Sequence, residues 1–212
     1  MTGTQKCGFV AIIGAPNAGK STLINRLVGA KVSIVSPRVQ TTRTRVMGVV
    51  NRGDTQIVFV DTPGIFEPKK KLDRAMVAAA WAGASDVDAV LLLVDAARGK
   101  ASAESLAIVE KLKQKKRGAL LALNKTDAAD KESLLKISAD LFASGVFTDV
   151  YMISAQNGDG IEKMLNDIAA KMPLGPWMFA GEEISDMPMR LLAAEITREK
   201  IFLQLKQEVP YA

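Results

Sequence analysis

The run Gly14-Ala15-Pro16-Asn17-Ala18-Gly19-Lys20-Ser21 follows an apolar stretch at 9–13 and leads into a helical pattern at 21–28. A G-x-x-x-x-G-K-S run between a buried strand and a helix predicts a phosphate-binding loop. Its backbone amides would wrap the phosphates, and the helix N-terminus would add a favourable dipole. Gly14 and Gly19 let the backbone approach closely. Lys20 would place a cation on the β and γ oxygens, and the Ser21 hydroxyl would reach Mg2+. The loop alone separates neither ATP from GTP nor a kinase from a hydrolase.

The rest of the chain carries the alternation such a loop demands. Strand patterns fall at 45–51, 56–61, 87–95, 119–123 and 149–153. Helical patterns fall at 73–84 and 102–116, and after Asp130, which reads as an N-cap. A last helix opens on Asp159-Gly160-Ile161-Glu162, a variant of the capping box. Its residues Ile161, Met164, Leu165, Ile168 and Met172 repeat on one helical face. The centre of the fourth strand, 89–94, is apolar without a break, as a strand covered on both faces requires. The expected fold is α/β: a P-loop NTPase of the Ras-like type, with a doubly wound, mostly parallel six-stranded sheet over 1–172.

Composition excludes several chemistries. The chain has 212 residues and no histidine, which removes any histidine base, nucleophile or metal ligand. One cysteine, Cys7, permits neither an internal disulfide nor a thiolate metal cluster. No apolar stretch reaches the roughly 20 residues of a membrane span, and residues 1–8 do not resemble a signal peptide. A cytoplasmic protein is expected. The net charge of +5 and pI near 9.3 favour polyanionic partners such as RNA. Lys69-Lys70-Lys71 reads as a solvated run, and the cations at 111–117 suit a helix C-terminus.

Three further motifs end strands. Asp61-Thr62-Pro63-Gly64 places a carboxylate where it can hold Mg2+ through water, and a Gly64 amide that can bond a γ-phosphate. Asn124-Lys125-Thr126-Asp127 supplies a carboxylate for guanine N1–H and the 2-amino group. Adenine would leave that carboxylate unpaired when buried. The Lys125 stem can lie over the base, and Asn124 can tie its loop to the phosphate loop. Ser154-Ala155 would offer an amide to the guanine oxygen. With Thr22, these residues form the expected GTP site. In the polar segment 33–45, Thr42 is the expected third Mg2+ ligand after Ser21 and Asp61, with Thr41 as the alternate. Ile65 stands where many small GTPases carry glutamine, and cannot orient water. Asn17 would then help to bind a monovalent cation, K+, near the phosphates. The expected catalytic set is Lys20, Asn17, Thr42 and Gly64.

After 172 the pattern breaks. Pro173-Leu174-Gly175-Pro176 reads as the start of a linker at 173–187, and 190–207 as one more helix with Leu192, Ile196 and Leu203 along a stripe.

Residues 14–22, Lys31-Val32-Ser33-Ile34-Val35-Ser36-Pro37, Gln40-Thr41-Thr42-Arg43 and 61–65 resemble the bacterial Era GTPases. So do Ile184-Ser185-Asp186-Met187-Pro188-Met189-Arg190 and Ala194-Glu195-Ile196-Thr197-Arg198-Glu199-Lys200. The resemblance covers essentially the whole chain. It implies slow GTP hydrolysis and a role in assembly of the small (30S) ribosomal subunit. It also implies binding at the 3′ end of 16S rRNA, peripheral contact with the inner membrane, and a monomer. In that family a KH domain clamps RNA through a G-x-x-G loop. Residues 188–212 would be the first helix of a KH domain truncated at its C-terminal side, a helix that is mobile or docks on a neighbour. The alternatives are a guanine-nucleotide-binding module with negligible hydrolysis, or a related GTPase of tRNA modification or large-subunit assembly.

Overall fold

The computed structural model describes residues 4–35, 46–61 and 87–204. The helix expected at 73–84, the Gln40–Arg43 stretch with Thr41 and Thr42, the Thr62-Pro63-Gly64-Ile65 loop and Lys69-Lys70-Lys71 lie outside these residues. The elements run β1 (Lys6–Gly14), α1 (Lys20–Val28), β2 (Val46–Arg52), β3 (Thr55–Asp61), β4 (Ala89–Asp95) and α2 (Ala103–Gln114). They continue with β5 (Ala119–Asn124), α3 (Lys131–Phe142), β6 (Phe147–Met152), α4 (Ile161–Lys171) and α5 (Met189–Gln204). A 3-10 turn at Thr126–Ala128 follows β5.

The six strands lie in the order β2-β3-β1-β4-β5-β6, and only β2 runs antiparallel to its neighbour. Alternation with period two sorts their side chains into two cores. Val10, Ile12, Leu91, Leu93, Leu120 and Ala122 face one layer with α1 and α4. Ala11, Ile13, Leu92, Val94, Leu121 and Leu123 face the other with α2 and α3. Both faces are therefore covered, which explains why β4 and β5 tolerate no polar residue before Asp95 and Asn124.

Local signals set the helix starts. Ser102 accepts the Ser105 amide at 3.2 Å ahead of α2, and Asp130 accepts the Ser133 amide at 2.8 Å ahead of α3. The Ser133 amide also pulls the Asp130 carboxyl below its ordinary value. The helix at Ile161 begins differently from its expected capping box. Its N-cap is Gly160 at φ 71°, and no side chain caps it. A Cβ on Gly160 would stand 2.2 Å from the Met152 carbonyl, so the left-handed turn and the tight approach to β6 replace a side-chain cap. The expected apolar face holds: Ile161, Met164, Leu165, Ile168 and Met172 are all buried.

The segment expected as a linker is itself pinned. The Cys7 amide donates to the Pro173 carbonyl, and the Gly175 amide to Gln5. Gln56, fully buried on β3, then holds the chain by its side chain. Its Oε1 accepts the Met178 and Phe179 amides at 2.9 and 3.0 Å, and its Nε2 donates to the Phe179 carbonyl at 3.0 Å. Beyond it, the Val49 amide donates to Ile184 and the Met47 amide to Asp186 Oδ1. Residues 173–187 thus form a strap that satisfies the outer edge of β2, an edge otherwise open to strand addition.

The α5 helix also docks on the sheet domain. Glu199 is buried, paired with Lys31 Nζ, and accepts the Val35 amide at 3.0 Å. Burial alone would raise the Glu199 carboxyl pKa; Lys31 and the Val35 amide outweigh it and hold the group below its ordinary value. Leu192 and Ile196 are half-buried, whereas Leu191 and Ile201 face outward. Among the described residues no helix is long and apolar enough to cross a membrane.

Replacing Gln56 with alanine strands three backbone groups of the strap. It should lower unfolding free energy by about 2–4 kcal/mol in urea titration; a change below about 0.5 kcal/mol would show that the strap does not depend on it. Because the Glu199 pKa is depressed on folding, its stabilisation is present above the ordinary glutamate value of 4.5 and is lost as pH falls below it. Protection factors of the α5 amides, corrected for intrinsic exchange, should fall through that window. Glu199→Gln should show low protection at every pH; equal protection at acid and neutral pH in the parent would refute the linkage.

Candidate functional site

Three parallel strands end in a polar residue at one edge of the sheet: β3 in Asp61, β4 in Asp95, β5 in Asn124. The loop 14–21 runs past these ends from β1 into α1. Gly19 is the N-cap of α1 at φ 99°, and Asn17 is also left-handed at φ 62°. A Cβ on Gly19 would lie 2.3 Å from Asn124 Nδ2, so this position accepts no larger residue while the loop keeps its place.

Lys20 is buried. Its Nζ donates to the carbonyls of Gly14 and Ala15 at 3.2 and 3.1 Å, folded back across its own loop. Burial pushes the ammonium below its ordinary pKa, and the Asp61 charge opposes that shift. Asp61 has no exposed surface. Its Oδ2 accepts Ser33 Oγ at 2.9 Å and Ser21 Oγ at 3.3 Å. The start of the 33–45 segment is held from α1: Asn25 Oδ1 accepts the Val32 and Ser33 amides at 2.9 Å each, and its Nδ2 donates to the Ser33 carbonyl at 2.7 Å.

Asn124 joins two loops as expected. Its Nδ2 donates to the Ala18 carbonyl at 2.8 Å, and its Oδ1 accepts the Ala155 amide at 2.9 Å. The amide expected to meet a guanine oxygen is thus engaged by Asn124 in this conformation. Lys125 sits at φ 66°, and its Nζ meets Asp95 Oδ2 at 2.6 Å. Thr126 and Asp127 lie in the 3-10 turn that follows, and the Thr126 amide donates to Ile153. Asp127 is exposed, not buried as the specificity argument takes it to be; a base seated there would itself have to cover the carboxylate. The Ser154 hydroxyl accepts the Asn157 amide at 3.1 Å and shapes the loop carrying Ala155.

A cavity of ≈560 Å³ opens between α1 and this loop, walled by Thr22, Asn25, Arg26, Val35 and Ala155. Arg26 closes one side: its Nε donates to the Ala155 carbonyl at 3.2 Å and its Nη2 to Gln156.

The structure therefore brings together Gly14 to Thr22, Asp61, Asn124 to Asp127, Ser154 and Ala155. Thr42, Thr62, Pro63, Gly64 and Ile65 lie outside the described residues. Sequence reasoning missed Asn25, Arg26, Ser33 and Asp95. Of these, only Asp95 carried a signal: it ends a buried strand as Asp61 and Asn124 do.

The chain matches the family model described as 50S ribosome-binding GTPase over residues 9–125. It is similar to GTPase Era of Caulobacter vibrioides, 51% identical over 224 aligned residues, which span 100% of this chain and 71% of the relative. GTPase Era of Rhizobium meliloti is 54% identical over 223 residues with the same coverage, and that of Agrobacterium fabrum 55% over 208, covering 98% and 65%. A crystal structure of Era with MgGDPNP and nucleotides 1506–1542 of 16S ribosomal RNA superposes with a TM-score of 0.89 at 38% identity, over 97% of this chain and 70% of that one. A variant of Aquifex aeolicus Era bound to GDP and aluminium fluoride gives the same values.

Proposed function

Since the chain belongs to the Era family of GTPases, we propose that it is a slow Mg2+-dependent GTP switch acting in 16S rRNA processing and assembly of the small ribosomal subunit. The Asn124 bridge carries the nucleotide reading, because one side chain holds the phosphate loop and the base-reading loops at a fixed separation. The roles follow from position. The amides of residues 14–21, with Thr22, receive the phosphates. Lys20 exchanges two carbonyls for phosphate oxygens, which add to the counter-charge that Asp61 gives its buried ammonium. Asp127 reads the guanine edge, Lys125 covers its face, and Thr126, Ser154 and Ala155 shape the pocket. Thr62, Pro63 and Ile65 flank the Gly64 amide, which binds the γ-phosphate.

The donors suit Mg2+: Ser21 and Asp61 present hard oxygens side by side. Among the described residues no cluster of three acidic or thiol ligands would favour another metal. Ser21 and Asp61 would hold it, with Thr42 as the third ligand. When bound, Mg2+ neutralises charge on the β and γ oxygens. Ile65 orients no water, so we assign compensation to K+ held near Asn17, supplying charge at the phosphates as an arginine finger would. The position of Asn17 within the phosphate loop, between Gly14 and Lys20, supports this reading.

The family model is described by the large subunit, but it covers residues 9–125 and stops short of 184–200. The Era relatives match the whole chain at about half identity, including 184–200, and the similar Era structure that holds 16S ribosomal RNA favours the small subunit. In our reading residues 1–172 are the G domain, 173–187 a linking strap, and 188–212 the first helix of a KH-type RNA-binding domain. A monomer in the cytoplasm, with peripheral contact at the inner membrane, belongs to the same reading; buried Cys7 is a free thiol.

Asp127→Asn should weaken GTP binding by about 10²-fold or more and confer XTP binding, read by competition against a fluorescent nucleotide; no gain for XTP would sink the guanine assignment. Single-turnover hydrolysis with Mg2+ should be at least about tenfold faster in potassium than in sodium. Equal rates would remove K+ and the Asn17 role, and no hydrolysis in either salt would leave a nucleotide-binding module.

A further inference from the structure

We propose that Asp95 is a positioning residue for guanine, holding the Lys125 side chain as the flat wall on which the base lies. The inference rests on the reading of the Asn124 to Asp127 motif as the guanine site. Asp95 is the last residue of β4 and is paired in register with Asn124, one residue before Lys125. The Ala96 amide donates to the Asn124 carbonyl at 2.9 Å, so the two strand ends stay locked past the sheet. The Asp95 carboxylate is oriented by its own turn, since its Oδ1 accepts the Ala97 amide at 3.0 Å. Its Oδ2 is thereby aimed at Lys125, whose Nζ it meets at 2.6 Å. Asp95 is the more buried partner, at 18% side-chain exposure against 38% for Lys125.

The physical benefit is preorganisation. A free lysine samples many rotamers, and stacking a base on its methylenes would require ordering all of them at once. Lys125 is already restricted at its root by a left-handed backbone, and at its tip by Asp95. A stem fixed at both ends offers an apolar surface whose ordering cost is met on folding, not on binding. Since the stem touches a ring face, it gives affinity without reading the 2-amino group, which is left to Asp127.

The test is GDP and IDP dissociation, followed by stopped-flow with fluorescent analogues. It compares the parent with Asp95→Asn, Asp95→Ala, Lys125→Met and the double variant Asp95→Asn/Lys125→Met. Asparagine keeps an oxygen for the Ala97 amide but loses the charge. Asp95→Asn should therefore release GDP about fivefold faster, as Asp95→Ala does. It should leave the GDP-to-IDP ratio unchanged and add nothing in the Lys125→Met background. Parent-like release by Asp95→Asn would overturn the proposal and reduce Asp95 to shaping its turn. So would an unchanged effect without Lys125, or a shifted GDP-to-IDP ratio, which would mean that the Asp127 turn had been distorted. A parent protein that bound neither GDP nor IDP would overturn the guanine reading itself, a failure distinct from any difference between variants.

Discussion

The Asn124 amide uses both of its ends on backbone that comes from distant parts of the chain. Its Nδ2 reaches Ala18 across more than a hundred residues, and its Oδ1 reaches Ala155. Side-chain amides of this kind are short and planar, and they tolerate little error in distance. For Asn124 to make both bonds, β1, β5 and β6 must end at one level and the helix after β1 must start close beside β5. The glycine at 19 is required by the same bond, because any Cβ there would occupy the place of the Asn124 nitrogen. Sheet order, strand length and loop composition thus answer to a single contact at the sheet edge.

A second chain of contacts runs from α1 through Asn25 to Ser33, and from Ser33 to Asp61 and Ser21. It links the first turn of the 33–45 segment to the residues best suited to hold a metal. Lys20 stands beside it, buried against carbonyls and under the field of Asp61. A buried cation held by neutral acceptors is costly. The arrangement favours an arriving polyanion before any specific contact with a base is made.

Much of this was legible in the sequence. The unbroken apolar runs at 9–13, 89–94 and 119–123 specify strands covered on both faces, and the glycine loop between strand and helix dictates where their ends point. The family resemblance rests most specifically on the local stretches Gln40 to Arg43 and Ile184 to Lys200, since Gly14 to Thr22 is shared by many GTPases. The parts that were not legible depend on single polar residues acting over long sequence distances. Gln56 reads as an ordinary edge residue of a strand, yet its side chain anchors 178–179. Glu199 sits in a mixed helix, and nothing local marks it as a buried residue of α5. Asp159 and Glu162 spell a helix cap that the backbone at Gly160 declines, because β6 passes too close. Asp127 was identified by its motif, but its exposure is set by how the 3-10 turn projects from β5, which no local pattern encodes.

The strap at 173–187 also has a mechanical meaning. Its bonds to β1, β3 and β2 follow one another across the sheet, from Cys7 through Gln56 to Val49 and Met47. A load applied through α5 would meet Glu199 first, and then these bonds one at a time from the Met47 end. Peeling geometry of that sort yields at low force and gives way stepwise, while the parallel strands behind it are loaded together in shear. The molecule is thus compliant along the path that leads out through α5 and stiff at the strand ends where the phosphate loop sits.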